Sequence, residues 1–207
     1  MARPIGARNQ GFDDRRRTLL ARVQARLVAQ DGHTAGMRSL AEAAGVTYPT
    51  LKHYFGDRVG LLRALFEARA ADGAVYLEQM RQADLPFEQS IRVAALGIAH
   101  AGAAPGFRVL HDIGLREGLL SPGVGSIYLE QIFEPTLAAI EARFSTHMAR
   151  GEMRQADPRV AALGLVSPLL LGALHQHSLD GARLRPLDLA GLAAEIAENF
   201  IVAYRAR

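Results

Sequence analysis

The stretch MRSLAEAAGVTYPTLKHYFGDR, residues 37–58, decides the fold of this 207-residue chain. Its pattern predicts two short helices, at 37–44 and 48–54, that meet across a turn. Gly45 can take the left-handed backbone conformation that such a turn requires, and the Thr47 side chain can cap the second helix. The stretch therefore predicts a helix-turn-helix.

Apolar residues mark the inner side of this motif. Leu40, Ala41 and Ala44 recur at helical spacing in the first helix, and Ala41 is small enough to let the two helices approach closely. Val46 fills the angle of the turn, and Leu51 anchors the second helix. These positions predict a small core beneath the motif.

The outer side of the second helix carries hydroxyl, aromatic and cationic groups. The residues left facing outward are Thr47, Tyr48, Thr50, Lys52 and His53. Such groups at a helix N-terminus suit the major groove of DNA, where side chains read base edges and phosphate contacts fix the register. The motif therefore indicates DNA binding.

The distribution of charge agrees with this interpretation. The first 63 residues hold 11 basic and 5 acidic side chains, a net charge of +6, whereas residues 64–207 hold 13 and 16, a net charge of −3. A basic segment is typical of a surface that meets nucleic acid. Because basic surfaces without a partner are also common, the asymmetry supports the motif but does not replace it.

The composition bounds the class of protein. With 49% hydrophobic and 22% charged residues, the chain has the balance of a folded protein. It has no cysteine, which excludes disulfides and thiolate metal sites and favours a cytoplasmic location. Met1–Gln10 lack the apolar core of a secretory signal. The apolar stretch Val160–Leu174 is shorter than the roughly 18 residues of a membrane span, so we expect a buried helix and no membrane contact.

Alanine, leucine, arginine and glutamate at helical spacing predict an all-α protein of about nine helices. Besides the two helices of the motif, the predicted segments are 14–31, Asp57 towards Met80, 87–102, 106–117, 124–150, 158–178 and 188–205. Asp13 or Asp14 is expected to cap the first of them. Helices 158–178 and 188–205 are apolar nearly all round, so we expect them to pair with a second copy of the chain unless they form a monomer core.

Three groups of residues resemble a known family. They are Leu40-Ala41-Glu42-Ala43-Ala44-Gly45-Val46, Thr50-Leu51-Lys52-His53-Tyr54-Phe55 and Leu61-Leu62. Over about residues 14–66 the chain resembles the DNA-binding domain of the tetracycline-repressor (TetR) family. The resemblance implies a helix-turn-helix domain at 1–60 and, at 61–207, a helical domain that dimerises and binds a small-molecule effector. A homodimer of this kind, usually a repressor, would leave a near-palindromic double-stranded DNA operator when the effector binds.

The resemblance also implies roles for individual residues at the DNA. The candidates are Arg38, Thr47, Tyr48, Pro49, Thr50, Lys52, His53, Tyr54 and Arg58. Residues 47–50 would approach bases, Lys52 and Tyr54 would touch phosphates, and Arg58 would clamp a phosphate from the start of the next helix. For Tyr54 and Phe55, packing within the small domain is an equal alternative.

Two positions depart from the family pattern. Lys52 stands where tyrosine is usual, so its phosphate contact would be a point charge without a ring. Gly36 stands where serine or threonine commonly caps the first helix of the motif, which affects the geometry around Arg38. Ahead of the first predicted helix, Arg3 and Arg8 are candidates either for a minor-groove arm or for a disordered basic tail.

Aromatic, histidine and methionine side chains of the second domain are the candidates for an effector pocket. They are Phe107, His111, Tyr128, Phe133, His147, Met148, His175 and His177. These residue types are also common in ordinary cores, so about a third of them are expected to touch a ligand. His175 and His177 cannot share a helix face, so neither a metal site nor another cofactor is expected.

Two other classes of function stay open on sequence alone. One is a helical enzyme or small-molecule-binding protein whose helix-turn-helix is coincidental, although the sequence shows no catalytic constellation. The other is a helical adaptor that uses the basic segment against acidic protein. The first predicts no salt-sensitive DNA affinity, and the second predicts binding to polyanions without sequence preference.

Overall fold

The computed structural model describes residues 5–29 and 35–206, where the regular segments are helical apart from one isolated β-bridge between Met153 and Arg205. The helices are α1 Ile5–Val28, α2 Met37–Ala43, α3 Tyr48–Phe55, α4 Arg58–Asp72, α5 Ala74–Arg81, α6 Phe87–Ala103, α7 Pro105–Leu120, α8 Pro122–Tyr128, a π-helical turn Leu129–Phe133, α9 Glu134–Ala149, α10 Pro158–His177, α11 Gly181–Leu184 and α12 Leu189–Tyr204. The predicted all-α class is confirmed.

The first helix begins earlier than predicted. Asp13 and Asp14 lie inside α1 instead of capping it. The added turns have a partner, because the ring of Phe12 stacks on Tyr54 of α3 with centroids 4.6 Å apart. Residues 30–34, which include the predicted end of this helix and most of the following loop, lie outside the described residues.

The helix predicted from Asp57 to Met80 is divided. Asp57 caps α4 as expected, because its Oδ1 accepts a hydrogen bond from the Gly60 amide at 2.9 Å. At Gly73 the backbone has ψ −3°, and glycine has little helix propensity, so α4 ends there and α5 follows. The division lets Tyr76 of α5 line a cavity in the interior of the second domain.

The helix-turn-helix shares a buried core with part of the second domain. Leu40, Leu51 and Leu62 of α2, α3 and α4 are at most 1% exposed. They belong to the same cluster of buried side chains as Ile113 of α7 and Tyr128 of α8. The helix-turn-helix is therefore packed against the second domain, because α4 joins it to α7 and α8.

A second core holds α5, α6, α9, α10 and α12 together. Within it, Arg143 of α9 is only 3% exposed. Its guanidinium donates hydrogen bonds to the carbonyl oxygens of Gln79 and Met80, at 2.7 and 2.8 Å, and to the Ser90 hydroxyl at 2.6 Å. The buried cation thus satisfies the last carbonyls of α5 and fixes that short helix against α9.

The segment predicted as one helix at 124–150 is helical from Pro122 to Ala149 but contains the π-helical turn at Leu129–Phe133. A π-helical turn inserts an extra residue into the helical repeat, and such turns are frequent at functional sites. Phe133, the last residue of this turn, lines the cavity. Farther along the chain, the short helix α11 was not predicted.

The expected burial of α10 is only partly correct. By length and composition this 20-residue helix is apolar enough to cross a membrane, the single such helix in the described ranges, yet only 33% of its most apolar window is buried. Its inner face packs on α6, α9 and α12, and Gly172 lets the Leu192 side chain of α12 approach closely. Its outer face leaves Val160 and Leu171 61% and 63% exposed.

Candidate DNA interface and ligand cavity

The turn of the helix-turn-helix is built by short-range contacts. Gly45 has φ +71°, the left-handed region that the sequence analysis assigned to it. Arg22 of α1 donates a hydrogen bond from Nη1 to the Ala44 carbonyl at 2.9 Å, and a Cβ on Gly45 would lie 3.1 Å from that nitrogen. Glycine therefore allows both the backbone turn and its attachment to α1.

The start of α3 is capped as predicted. The Thr47 Oγ1 accepts a hydrogen bond from the Thr50 amide at 3.3 Å and lies 2.9 Å from the Thr50 hydroxyl. Thr47, Tyr48 and Pro49 are exposed, with Tyr48 at 38%, whereas Thr50 is half-buried. The first turn of α3 thus presents an exposed aromatic ring beside two hydroxyls that are bonded to each other.

The next turn of α3 carries one exposed cation and one packed ring. Lys52 and His53 are exposed. Tyr54 is half-buried and stacks on Phe12, so the packing alternative describes its contacts in this structure. Arg38 of α2 is also exposed.

Gly36 caps α2 without a side-chain hydrogen bond, as its identity requires. Of the two candidates for an N-terminal arm, Arg3 lies outside the described residues, and nothing is described of the Arg8 side chain. The described surface of the helix-turn-helix therefore centres on α3.

Arg58 has a partner in the second domain. Its Nε and Nη2 donate to the carboxylate of Glu117 on α7 at 2.8 and 2.7 Å, and its Nη1 donates to the Ala35 carbonyl at 2.7 Å. The hydrogen bond from Arg58 holds the pKa of Glu117 below its usual range, and the same bond raises the pKa of Arg58. A phosphate contact by Arg58 stays a prediction, and in this structure the residue ties α4 to α7.

A narrow cavity lies inside the second domain. Its lining comes from six segments of the chain: Tyr76, Ile98, Gly102, Phe107, His111, Phe133, Thr136, Val166 and Leu170. The cavity measures about 10 Å³ and borders a more open pocket of about 210 Å³, with Tyr76, Phe107 and Thr136 lining both. Among the described residues, no Asp, Glu, Lys or Arg lines the inner cavity.

Three of the eight predicted pocket residues line this cavity, namely Phe107, His111 and Phe133. Tyr128 stands behind His111, with its hydroxyl 2.6 Å from Nδ1. The other four lie elsewhere in the second domain. They are His147 and Met148, which are buried near the end of α9, and His175 and His177, which are exposed at the end of α10.

His147 has a structural environment of its own. It is fully buried, its Nδ1 lies 2.6 Å from Glu152 Oε2, and its ring meets Phe87 edge-on with centroids 5.5 Å apart. No group of three or more His, Asp or Glu side chains suited to a metal ion occurs in the described ranges. His147 therefore packs in the core near the end of α9 and does not line the cavity.

A chain of aromatic rings connects the cavity to α4. The rings of Tyr76 and His111 both contact Phe107, with centroid separations of 5.8 and 4.4 Å. Tyr128 meets His111 at 90° and contacts Phe66 of α4 at 6.0 Å. Burial lowers the pKa of His111 to about 4 and raises that of Tyr128, so both are neutral at pH 7.

Sequence reasoning missed two residues that matter here. Tyr76 was predicted to lie on one long helix from Asp57 towards Met80, and only the structure shows that it lines the cavity. Glu117 lies 59 residues from Arg58, so its ion pair depends on how α7 packs against α4. The aromatic character of Tyr76 was the only signal in the sequence for either residue.

Two sequence comparisons identify the relatives of this chain. Residues 25–65 match the family model for bacterial regulatory proteins of the tetR family. Residues 89–206, more than half of the chain, match the model for the C-terminal domain of AefR-like transcriptional repressors. No curated protein matches the sequence.

Several solved structures share the fold. A TetR transcriptional regulator from Agrobacterium tumefaciens is 20% identical with a TM-score of 0.75, covering 94% of this chain and 96% of its own. A TetR-family regulator from Mesorhizobium loti is 19% identical with a TM-score of 0.72, covering 94% and 98%. SmeT, the repressor of a Stenotrophomonas maltophilia multidrug efflux pump, is 20% identical in its triclosan complex, with a TM-score of 0.68 and coverage of 93% and 92%.

Proposed function

Because the chain belongs to the TetR family of bacterial regulatory proteins, we propose that it is a repressor that leaves its operator when a small molecule occupies the cavity. The observation that carries the proposal is the shared core. It joins the exposed face of α3 to α7 and α8, which contribute His111 and Tyr128 beside the cavity. A protein of this kind is a regulator and not an enzyme, and it works in the cytoplasm, where the DNA is.

The DNA-reading head, α1–α3, would use different residues to contact the phosphates and to read the bases. Lys52 is an exposed cation on α3 and would meet a phosphate, whereas the exposed Tyr48 ring at the start of the helix would meet base edges. Arg38, Thr47, Pro49, Thr50 and His53 surround these two residues and complete the contact surface. Arg58 would contact DNA only if its ion pair with Glu117 were broken.

Two copies of the chain would pair through α10 and α12. The outer face of α10 exposes Val160 and Leu171, and α12 exposes Val202 at 72%. Burying such faces against a second copy removes apolar surface from water. Phe200, which lies in the predicted apolar helix 188–205, is 6% exposed and stacks on Phe144 at 5.0 Å, so it belongs to the core of one copy.

A dimer presents two heads to DNA. The preferred operator would be a near-palindrome with half-sites about 34–36 Å apart or a multiple of that distance. An effector that moves α7 would act on α4 through the Glu117–Arg58 ion pair and the contact of Tyr128 with Phe66. The coupling between effector and operator must be reciprocal, typically about 1–3 kcal/mol.

An electrophoretic mobility shift with the DNA upstream of the chain's own gene tests this function. Shuffled DNA of equal composition serves as the reference, at 50 and 200 mM salt. We expect preference for the upstream DNA and a loss of affinity of roughly a thousand-fold at the higher salt, because the head releases counterions from phosphates. Absence of DNA binding would favour the small-molecule-binding alternative, and equal binding to both DNAs and to heparin would favour the adaptor.

A matched pair of variants completes the experiment. Lys52→Ala removes the exposed cation from α3, whereas Arg81→Ala removes an exposed cation from the end of α5, outside the head. We expect weaker binding only for the first. Equal losses in both would mean that net charge, and not the α3 surface, accounts for the affinity.

A further inference from the structure

Two buried polar atoms beside the cavity have no hydrogen-bond partner among the described residues. They are the Tyr76 hydroxyl oxygen and His111 Nε2. Both residues line the inner cavity, both rings contact Phe107, and His111 is only 3% exposed. Buried polar groups in folded proteins are nearly always paired, so two orphan atoms on residues that line one cavity point to a ligand that pairs with them.

The hydrogen bond on the other side of the imidazole fixes what His111 offers. Its Nδ1 lies 2.6 Å from the Tyr128 hydroxyl, and Tyr128 has no other hydrogen-bond partner among the described residues. If the Tyr128 hydroxyl donates to Nδ1, its hydrogen is paired, whereas the opposite direction would leave that buried hydrogen without an acceptor among the described residues. Donation to Nδ1 is therefore favoured, and the ring hydrogen of neutral His111 then resides on Nε2. The residues that line the cavity therefore carry an N–H donor, on His111, and a hydroxyl, on Tyr76.

The rest of the lining is unfavourable for a charged ligand. Its other residues are apolar except Thr136, whose hydroxyl already donates to the Ile132 carbonyl at 3.2 Å. Arg69 lines the outer pocket, but its guanidinium is bound to Asp72 and Gln24. An ionised ligand would lose its hydration here without gaining a counter-charge, which is strongly unfavourable.

Resting on the proposed function, we propose that the effector is an uncharged, largely apolar molecule with an acceptor oxygen held between His111 Nε2–H and the Tyr76 hydroxyl. The outer pocket has the room for such a molecule, and the inner cavity has the hydrogen-bonding atoms. The Phe107 ring lines both spaces, so it moves aside when the ligand reaches His111. Its place on α7 links that movement to Glu117 on the same helix.

Three isosteric probes test the proposal by saturation-transfer NMR on the full chain. Acetophenone carries a neutral carbonyl, α-methylstyrene replaces the carbonyl by a methylene group, and benzoate carries a negative charge. We expect acetophenone to bind at least about five-fold more tightly than α-methylstyrene, the effect of one or two neutral hydrogen bonds, and benzoate to show no binding. α-Methylstyrene or benzoate binding as well as acetophenone would overturn the proposal.

Variants assign any binding to the two orphan atoms. Tyr76→Phe removes only the hydroxyl and should abolish most of the preference for acetophenone over α-methylstyrene, as should His111→Leu. Tyr204→Phe is the matched control, because Tyr204 stacks on Phe200 away from the cavity. An unchanged preference in both cavity variants would contradict the assignment.

Operator binding in the same samples separates this inference from the proposed function. A pair of donors that serves only an ordered water molecule would bind none of the three probes, and that result would also overturn the inference. If the wild-type chain still binds its operator in a salt-dependent way, the DNA-binding function stands and only the effector chemistry fails. Loss of operator binding by the wild-type chain would instead contradict the proposed function itself.

Discussion

The DNA-reading head and the cavity are built from contacts of different range. In the head, the Thr47 cap bonds to Thr50 three residues away, and Arg22 reaches Ala44 across 22 residues. The cavity is closed by side chains from Tyr76 to Leu170, brought together by α5, α6, α7, α9 and α10. A local motif can therefore keep its geometry while the packing around the cavity changes, which suits a fixed reader joined to a variable sensor.

The largest expected effect concerns the pairing of two copies through the second domain. Leu171→Asp places a charge on the exposed face of α10, so we expect a monomer at micromolar concentration in sedimentation. Operator affinity should fall roughly a hundred-fold or more, because the two heads no longer bind jointly. The head itself should remain folded.

Val75→Asp provides the control for that experiment. Val75 is 70% exposed on α5, so a charge there should leave both the dimer and the operator affinity unchanged. A Leu171→Asp chain that remains dimeric would show that α10 is not the interface. A wild-type chain that is monomeric would contradict the proposed architecture.

Packing behind the cavity should tolerate an added methyl group less well than an exposed position of α1. Gly114 of α7 meets the Tyr128 ring so closely that a Cβ would lie 2.2 Å from its Cδ2. We expect Gly114→Ala to lower the free energy of unfolding by about 1–3 kcal/mol in urea titrations. Gly11→Ala, in an exposed position of α1 with nothing within 4 Å, should instead raise it by about 0.5–1 kcal/mol.

The order of these two effects is the decisive observation. If Gly114→Ala changed neither the free energy of unfolding nor effector binding, Tyr128 would not pack on α7 in this way. The comparison between the tightly packed wall behind His111 and an exposed helix position would then fail.

Acidification should lower the free energy of unfolding because His111 is buried in the second domain. Its pKa in the folded chain is about 4, against about 6.5 in the unfolded chain, so below pH 6.5 the unfolded state binds a proton that the folded state does not. The contribution is complete above pH 6.5 and is lost as the pH falls towards 4. Between pH 6.5 and 5 we expect a loss of about 2 kcal/mol that His111→Leu does not show.

Denaturant unfolding of the wild type and His111→Leu at several pH values measures this difference. The other histidines are common to both chains, so their titration cancels in the comparison. Parallel pH profiles for the two chains would mean that His111 is accessible to protons in the folded state.

The ion pair between the two regions should give the smallest effect on stability. Glu117→Gln leaves Arg58 with a neutral partner, and we expect a loss of about 1 kcal/mol at pH 7. Because the folded-state pKa of Glu117 is lowered, the difference should be present above about pH 4.5 and disappear as the pH falls below it. Glu88→Gln, at an exposed ion pair with Arg92, is the control and should change stability by less than about 0.5 kcal/mol.

Sequence reasoning succeeded where the deciding contacts are local. The left-handed Gly45, the Thr47 cap and the Asp57 cap each follow from a residue type and its near neighbours, and all three are present. It failed at Asp13 and Asp14, because the stacking of Phe12 on Tyr54 supports extra turns of α1 that no local signal announces.

For the candidate sites, the same distinction holds. The α3 surface was assembled from adjacent residues, whereas Tyr76 and Glu117 acquire their roles through partners brought close by tertiary packing. Likewise, Leu171 and Phe200 both lie in the two helices that were predicted to pair with a second copy, and only the packing of the chain shows that Phe200 is buried and Leu171 exposed.

The central claim, that α3 reads DNA with separate positioning and reading residues, is tested most directly by salt titrations of operator binding. Fluorescence anisotropy would compare wild type, Lys52→Ala and Tyr48→Ala on cognate and shuffled DNA. We expect Lys52→Ala to weaken both DNAs alike and to reduce the log–log salt slope by about one. Tyr48→Ala should cost about 1–3 kcal/mol on cognate DNA only and leave the slope unchanged. The reverse assignment, in which Lys52→Ala relaxes base preference and Tyr48→Ala alters only the slope, would contradict this placement of α3.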